Sequence, residues 1–205
     1  ISIGLLVTFY LDFEGQQSSA YLSLLICAVC VFILTLFRKG EGEWIGAGLG
    51  PLYIGVPVLC LMNLRAIEEG GLALTAILFF VVWATDTGAY FAGRTIGGPK
   101  IAVSISPNKT WAGLMGGMIS AAVVSSLSVT YFMEQDLPVW QTAGAGALFA
   151  VLAQAGDFAE SAWKRYFGIK DASNIIPGHG GVLDRLDGVL FVAPALYLIV
   201  TITGI

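Results

Sequence analysis

The polar run 170–188, KDASNIIPGHGGVLDRLDG, holds two carboxylates whose spacing suits metal chemistry. Asp184 and Asp187 are three residues apart, so a helix would place them on one face. Two neighbouring carboxylates repel each other unless a cation lies between them, and Mg²⁺ commonly takes one or two carboxylates plus substrate phosphate oxygens. Arg185 and Asp187 could instead form a loose surface pair, and acidic residues also favour a helix N-terminus. The spacing therefore predicts a magnesium site, with an ordinary helix start as the alternative.

The glycines of PGHGG, residues 177–181, are a second chemical feature of the same run. Glycine tolerates φ > 0, so backbone N–H groups in such a turn can approach an anion closely. His179 could bind a phosphate, transfer a proton or simply occupy the turn. Because it is the only histidine in the chain, a multi-histidine metal site is excluded. The turn therefore predicts anion contact, and a flexible loop would explain the same residues.

Two more carboxylates lie at the ends of apolar segments. Asp86, in VVWATDTGAYFAGR, would be an ionisable group at membrane depth, which is costly and usually faces a partner or a wet cavity. It could equally form an interfacial pair with Arg94. Asp157, in LAQAGDFAES, could join the same site or could cap a following helix, since its spacing to Glu160 resembles a capping arrangement. We predict that Asp86 and Asp157 contribute to the metal site.

The stretch 104–113, SISPNKTWAG, carries several phosphate-binding side chain types just before an apolar segment. They are Ser104, Ser106, Asn108 and Lys109. The stretch predicts another phosphate-contacting element, although a helix-start signal explains the same residues equally well.

The elements that must position these residues are mostly apolar. The 205 residues are 57% hydrophobic and 12% charged, and the mean hydropathy is +0.82. A soluble domain carries roughly 25% charged residues. Several segments approach the ~20 residues that a helix needs to cross a bilayer. The seven segments are 1–11, 20–37, 44–63, 71–93, 110–133, 142–156 and 188–205.

The fold class is therefore predicted as all-α, a polytopic integral membrane protein with about seven transmembrane segments in one domain, 1–205. The first segment is only about half a span and the chain opens on Ile1, so we expect further helices N-terminal to it. Gly113 and Gly117 form a GxxxG, and 142–147 reads TAGAGA. Small residues of this kind let membrane helices approach closely.

Basic residues are concentrated on one predicted side of the membrane. Nine of the ten Lys and Arg residues fall in the stretches 38–43, 94–109 and 157–187. Under the positive-inside rule this side is cytoplasmic. The four candidate carboxylates lie at the same face. Such a mixture suits a polyphosphate, because acids hold the metal while Lys and Arg neutralise phosphate oxygens. It suits an ion channel less well, because channels use one sign of charge or carbonyls.

Residues 161–187, SAWKRYFGIKDASNIIPGHGGVLDRLD, resemble the signature of the phosphatidate cytidylyltransferases, or CDP-diacylglycerol synthases. The residues in register are Ser161, Lys164, Arg165, Lys170, Asp171, Pro177, His179, Gly180, Gly181, Asp184, Arg185 and Asp187. The upstream stretches DTGAYFAGRTIG, SPNKTWAGLMGG and QAGDFAES also resemble this family, so the likeness covers roughly 80–190. Trp163 stands where an aliphatic residue or Phe is usual, and Ala112 where a polar or acidic residue is common.

The resemblance implies that CTP reacts with phosphatidate to give CDP-diacylglycerol and pyrophosphate, with Mg²⁺ as the cofactor. It also implies a multi-helix homodimer surrounded by membrane lipid, in a bacterial inner (cell) membrane, with the active site facing the cytoplasm and no nucleic acid partner. The expected metal ligands are Asp86, Asp157, Asp184 and Asp187. Expected catalytic residues beside Asp184 and Asp187 are Lys164, Arg165, Lys170, Arg185 and His179. Expected substrate contacts are Ser106, Lys109, Arg94, Asp171, Gly180 and Gly181.

Two alternatives belong to other classes of protein. A CTP-dependent polyprenol kinase, of the dolichol or phytol type, would transfer the γ-phosphoryl group to an alcohol and release CDP. The intact PGHGG-x-x-DRxD run favours the cytidylyltransferase over this kinase. A transporter or channel would use the buried carboxylates to move ions, and it would show ion flux without nucleotide consumption.

Overall fold

The computed structural model describes residues 1–37, 43–133, 137–169, 181 and 183–204, and for 43–45 and Asp184 the backbone only. Within these residues the chain forms seven α-helices and one β-hairpin. In chain order they are α1 (Ser2–Phe13), α2 (Gln17–Leu36), α3 (Glu43–Ala66), α4 (Gly71–Thr95), β1 (Lys100–Ala102), β2 (Ser106–Thr110), α5 (Trp111–Phe132), α6 (Val139–Tyr166) and α7 (Leu183–Thr203). Each of the seven predicted apolar segments therefore coincides with a helix.

Five stretches of helix are long and apolar enough to cross a bilayer. They are Gln17–Leu36, Gly46–Ala66, Gly71–Thr95, Trp111–Phe132 and Arg185–Thr203. α1 is a shorter apolar helix, and α6 is 28 residues long but carries a polar second half. The prediction of an all-α polytopic membrane protein is confirmed, because the only strands among the described residues are three and five residues long.

The chain contacts divide into two compact units, Ile1–Ala66 and Ile67–Ile205. The first unit contains α1, α2 and α3, which pack around Leu5, Leu24 and Leu59. The buried Asn63 amide donates to the carboxylate of Asp12 at 3.2 Å and to the carbonyl oxygen of Leu59 at 2.8 Å. The side chain of Gln17 donates to the Asn63 carbonyl oxygen. The buried side chain of Asn63 is thus satisfied within the unit. The prediction of a single domain stays a prediction.

The second unit is built on a close approach of α4 and α5. A Cβ on Gly113 would lie 3.0 Å from the carbonyl oxygen of Ala89, and one on Gly117 would lie 3.0 Å from that of Thr85. Gly146 of α6 likewise faces the backbone of Ala121 on α5. Because lipid tails are themselves apolar, the hydrophobic effect does not drive helices together in a bilayer. Van der Waals contact between close backbones stabilises the pair instead. The predicted packing role of the GxxxG is confirmed.

The hairpin between α4 and α5 was not predicted. Its strands are antiparallel, with Lys100 opposite Thr110 and Ala102 opposite Ser106. The second strand ends at Thr110, which is the N-cap of α5 and accepts a hydrogen bond from the backbone N–H of Gly113 at 3.1 Å. The helix-start interpretation of 104–113 is therefore confirmed at Thr110.

α6 is longer than its apolar segment. It continues without a break from Val139 to Tyr166, so Asp157 and Glu160 lie inside the helix. The interpretation of Asp157 as a helix cap is therefore wrong. Alanine, glutamate, lysine and arginine are good helix formers, and they extend the helix beyond the predicted end of the apolar run. As a result, the charged second half of α6 stands beside α7 as a rigid element.

Candidate active site

The second unit contains a cavity of about 550 Å³ between α4, β2, α5 and α6. Five residues predicted from the sequence line it: Asp86, Arg94, Asn108, Lys109 and Asp157. Tyr90, Thr110 and Gln154 also contribute to its wall. Residues separated by more than sixty positions in the chain therefore meet at one place, as a phosphate-binding site requires.

The helical repeat aligns the residues that α4 contributes. Asp86, Tyr90 and Arg94 follow one another at intervals of four residues, so they share one face of the helix. Arg94 donates from Nη1 to the hydroxyl oxygen of Tyr90 at 2.5 Å, and its guanidinium carbon lies 5.9 Å from the ring centre. Tyr90 and Arg94 are both exposed. The alternative in which Arg94 pairs with Asp86 is not what the structure shows, because Arg94 contacts Tyr90.

Lys109 reaches the cavity because it directly precedes the N-cap of α5. Its ammonium group forms an ion pair with Oδ2 of Asp157 and lies 4.6 Å from the ring centre of Phe158. The Lys109 side chain is only 16% exposed. An ammonium group has three N–H donors, so beside its ion pair with Asp157 it can still donate to an anion in the cavity.

Asp157 and Asp187 bring α6 and α7 to the same place. Oδ1 of Asp157 accepts a hydrogen bond from the hydroxyl group of Ser161 at 3.3 Å. Oδ1 of Asp187 accepts one from the backbone N–H of Gly188 at 2.7 Å. Asp187 interacts electrostatically with Asp157, and both interact with Asp86 of α4. Three helices thus direct one carboxylate each towards a common region.

The backbones of α6 and α7 meet directly at this point. A Cβ on Gly156 would collide with the carbonyl oxygen of Asp187 and would lie 3.0 Å from the ring of Phe191. Gly156 precedes Asp157 in the chain, so the closest contact of the two helices lies beside the two carboxylates. The absence of a side chain at 156 therefore sets the separation of Asp157 from Asp187.

Replacing Gly156 with alanine is expected to lower both stability and activity. A backbone atom stands where the new methyl group would lie, and overpacking of this kind costs about 1–3 kcal/mol. We expect a lower melting temperature in detergent and a catalytic activity reduced by about tenfold or more, since displacement of about 1 Å at a site can cost 10²-fold.

Gly144→Ala is the matched control on the same helix, because a Cβ at Gly144 would meet nothing within 4 Å. It should leave melting and activity at or above the original level, since alanine favours a helix over glycine by about 1 kcal/mol. Equal behaviour of the two variants would contradict the proposed close contact of α6 and α7.

The donor chemistry of the cavity fits Mg²⁺, which prefers carboxylate oxygens and retains several waters. The position of the Lys109 ammonium shows that positive charge is stabilised beside Asp157. Within the part of the chain that the structure describes, no three His, Cys, Asp or Glu side chains form a ready metal cluster. The side chain of Asp184 lies outside that part. The magnesium site therefore stays a prediction.

The remaining predicted residues occupy different places. Ser106 is half-buried in β2 and is not among the residues that line the cavity. Arg165 and Arg185 are exposed on α6 and α7, and Gly181 is buried. Arg185 interacts electrostatically with Asp86. Lys170, Asp171, His179 and Gly180 lie outside the described residues, as does the side chain of Asp184.

The structure also brings residues to the site that were not among the predicted ones. Glu160 is buried beside Asp187, and Lys164, which was predicted, lies 3.5 Å from its Oε1. Tyr90 and Gln154 line the cavity. A helical-face reading of 154–164 would have grouped Gln154, Asp157, Glu160 and Lys164, because they recur at three or four residues.

Known proteins with similar sequences identify the family of this chain. The model of the Cytidylyltransferase family matches residues 1–203. The phosphatidate cytidylyltransferase of Brucella suis biovar 1 (strain 1330) is 41% identical over 194 residues, which are 95% of this chain and 70% of that protein. The phosphatidate cytidylyltransferase of Staphylococcus aureus (strain COL) is 36% identical over 180 residues, which are 86% of this chain and 68% of that protein. This chain belongs to the cytidylyltransferase family.

Proposed function

We propose that this chain transfers the CMP moiety of CTP to phosphatidate, giving CDP-diacylglycerol and pyrophosphate. The observation that carries the proposal is the meeting of Asp86, Asp157 and Lys109 in one cavity among membrane-spanning helices. The relatives of the chain are named phosphatidate cytidylyltransferases, which supports this reaction over the polyprenol kinase.

The charges of the cavity suit an in-line displacement at the α-phosphorus of CTP. A phosphate oxygen of phosphatidate forms the new bond to this phosphorus, and the bond to the β-phosphate oxygen breaks as pyrophosphate leaves. The nucleophile is already an anion, so a strong general base is unnecessary. The rate therefore depends on positioning and on stabilising charge as it moves to the leaving group. Lys109 can donate hydrogen bonds to phosphate oxygens from its buried ammonium group.

The carboxylates have a different task. Mg²⁺, when bound, supplies positive charge that neutralises the triphosphate. Asp86, Asp157 and Asp187 would hold it, together with Asp184. The Lys109 ammonium offsets part of the charge of Asp157. We propose that Lys109 and the metal share this acidic region, so that each phosphate group entering the cavity meets a cation.

Arg94 and Tyr90 are suited to the lipid phosphate. They stand exposed near the C-terminal end of α4, a helix long enough to cross the bilayer, and thus where a lipid headgroup would reach the cavity. Arginine recognises phosphate through paired N–H groups. The predicted orientation, with the cavity towards the cytoplasm of a bacterial cell, is supported by the basic residues at this end. We propose a homodimer on the resemblance alone. Light scattering of the protein in detergent measures the molar mass that tests it.

Replacing Arg94 with alanine is expected to raise KM for phosphatidate about tenfold and to change KM for CTP little. The lost charge-assisted hydrogen bonds to a phosphate are worth roughly 1.5–3 kcal/mol when formed. Initial rates in mixed micelles, with each substrate varied in turn, provide the two constants. Arg65→Ala is the control, since Arg65 ends α3 in the other unit. A rise in KM for CTP alone would indicate that Arg94 binds the nucleotide and not phosphatidate.

Product analysis tests the reaction itself. The purified protein in detergent is incubated with phosphatidate, Mg²⁺ and CTP labelled at the α-phosphate. Label in the lipid fraction, with an equal amount of pyrophosphate released, is the expected result. Label remaining as CDP with an alcohol acceptor, and no reaction with phosphatidate, would assign the chain to the kinases.

A further inference from the structure

Glu160 is a buried acid that the reaction described above does not use. It lies one helical turn beyond Asp157 on α6 and is 3% exposed. A carboxyl group buried among helices of a membrane protein is expensive to keep, and such groups are usually paired and functional. Its contacts therefore indicate what it does.

Among the side chains that the structure describes, Lys164 and Asp187 are the charged neighbours of Glu160. Nζ of Lys164, one turn further along α6, is 3.5 Å from its Oε1. The carboxyl group of Asp187, on α7, interacts with it beside the close contact of the two helices at Gly156, which is one turn before Glu160. Two carboxyl groups in contact repel each other unless a proton or a cation offsets their charge, and the ammonium of Lys164 provides such a cation. The three groups therefore form a connected set across α6 and α7.

Glu160 restricts the carboxyl group of Asp187 in addition to the restriction that the backbone imposes. The backbone N–H of Gly188 holds Oδ1 of Asp187 at 2.7 Å. A second contact, from Glu160, limits rotation of the same carboxyl group. Lys164 is similarly restrained, since its side chain is 18% exposed and Glu160 precedes it by one turn. Outer contacts of this kind orient the groups that bind a metal or a phosphate.

We propose that Glu160 is a positioning residue, whose carboxyl group holds Asp187 and Lys164 in the arrangement that metal and phosphate binding require. The inference rests on the proposed function, because the binding roles of Asp187 and Lys164 belong to it. Glu160 contacts neither substrate itself. It acts through its two neighbours.

Glu160→Gln is the sharpest variant, because it preserves size and hydrogen bonding while removing the charge that attracts Lys164. The first measurement is the rise in melting temperature on adding Mg²⁺, which needs no catalysis. We expect the variant to need about 10–100-fold more Mg²⁺ for the same rise, the usual effect of losing an outer contact of a metal ligand. Glu68→Gln, an exposed acid before α4, is the control and should match the original protein.

A double-variant cycle separates positioning from simple stabilisation. If Glu160 acts through Lys164, then Glu160→Gln should reduce kcat about tenfold or more in the original protein and much less in a Lys164→Met background. Multiplicative effects of the two changes would overturn the proposal. So would an unchanged Mg²⁺ dependence in Glu160→Gln.

The result remains distinguishable from a failure of the proposed function. If the original protein does not make CDP-diacylglycerol, the proposed reaction is wrong. If it does, and Glu160→Gln has the original kcat and the original Mg²⁺ dependence, only the positioning role is wrong.

Discussion

Asp157→Asn is expected to reduce formation of CDP-diacylglycerol by about 10³-fold while the protein stays folded. Asp157 has three kinds of contact at the cavity: it pairs with Lys109, accepts from Ser161 and interacts with Asp187. Asparagine has nearly the same shape but no charge. Loss of one preorganised electrostatic group typically costs 10²–10³ in kcat, and Asp157 is proposed both to hold the metal and to orient Lys109.

The measurement is the initial rate with labelled CTP, taken together with the melting temperature in the same detergent. Glu69→Gln removes one carboxylate from an exposed position before α4, and it should retain the full rate. Turnover of Asp157→Asn near the original level would contradict the proposed roles of Asp157 in holding the metal and orienting Lys109. A large fall in melting temperature would instead indicate a structural role.

Lys109→Met is expected to lower kcat/KM for CTP by about 10²-fold, which is about 2.7 kcal/mol at the transition state. Methionine keeps an unbranched apolar stem beside Phe158 but has no ammonium group. Asp157 then loses its ion pair, and the substrate phosphates lose a buried donor. Because the lysine is only 16% exposed, water would compensate poorly for the missing charge.

The test of Lys109 uses both a control and a combined variant. Lys100→Met removes an exposed lysine from the first strand of the same hairpin, so it should change kcat/KM little. If Lys109 and Asp157 act as a pair, Lys109→Met should cost less in an Asp157→Asn background than in the original protein. Fully independent effects would show that Lys109 acts on another partner.

Much of the fold follows from local sequence features. Runs of apolar residues predict the helices, because a membrane span must satisfy its backbone hydrogen bonds internally. The small residues Gly113 and Gly117 likewise predict the contact between α4 and α5. Two features were not predicted: the hairpin, whose first strand has only three residues, and the extension of α6 to Tyr166. Both elements consist largely of polar residues, so a hydropathy profile does not predict them.

The candidate site could be predicted only in part. The carboxylates of Asp86 and Asp157 indicated metal binding, and the ammonium group of Lys109 indicated phosphate binding. The structure brings these three residues to one cavity. The contact of Lys109 with Asp157 could not be predicted, because it joins a strand to a helix 48 residues later in the chain. Glu160 was considered only as the spacing partner in the alternative that made Asp157 a helix cap, since only the continuity of α6 reveals that its neighbour is Asp187.

The close contact of α4 and α5 has a consequence for how the protein is made. These helices are joined by a short hairpin and pack through glycines, so they can associate in the membrane as soon as α5 is inserted. Asp86, Arg94 and Lys109 can therefore come together before α6 is inserted. On that order of assembly, one wall of the cavity forms first, and Lys109 gains its contacts with Asp157 and Phe158 when α6 docks.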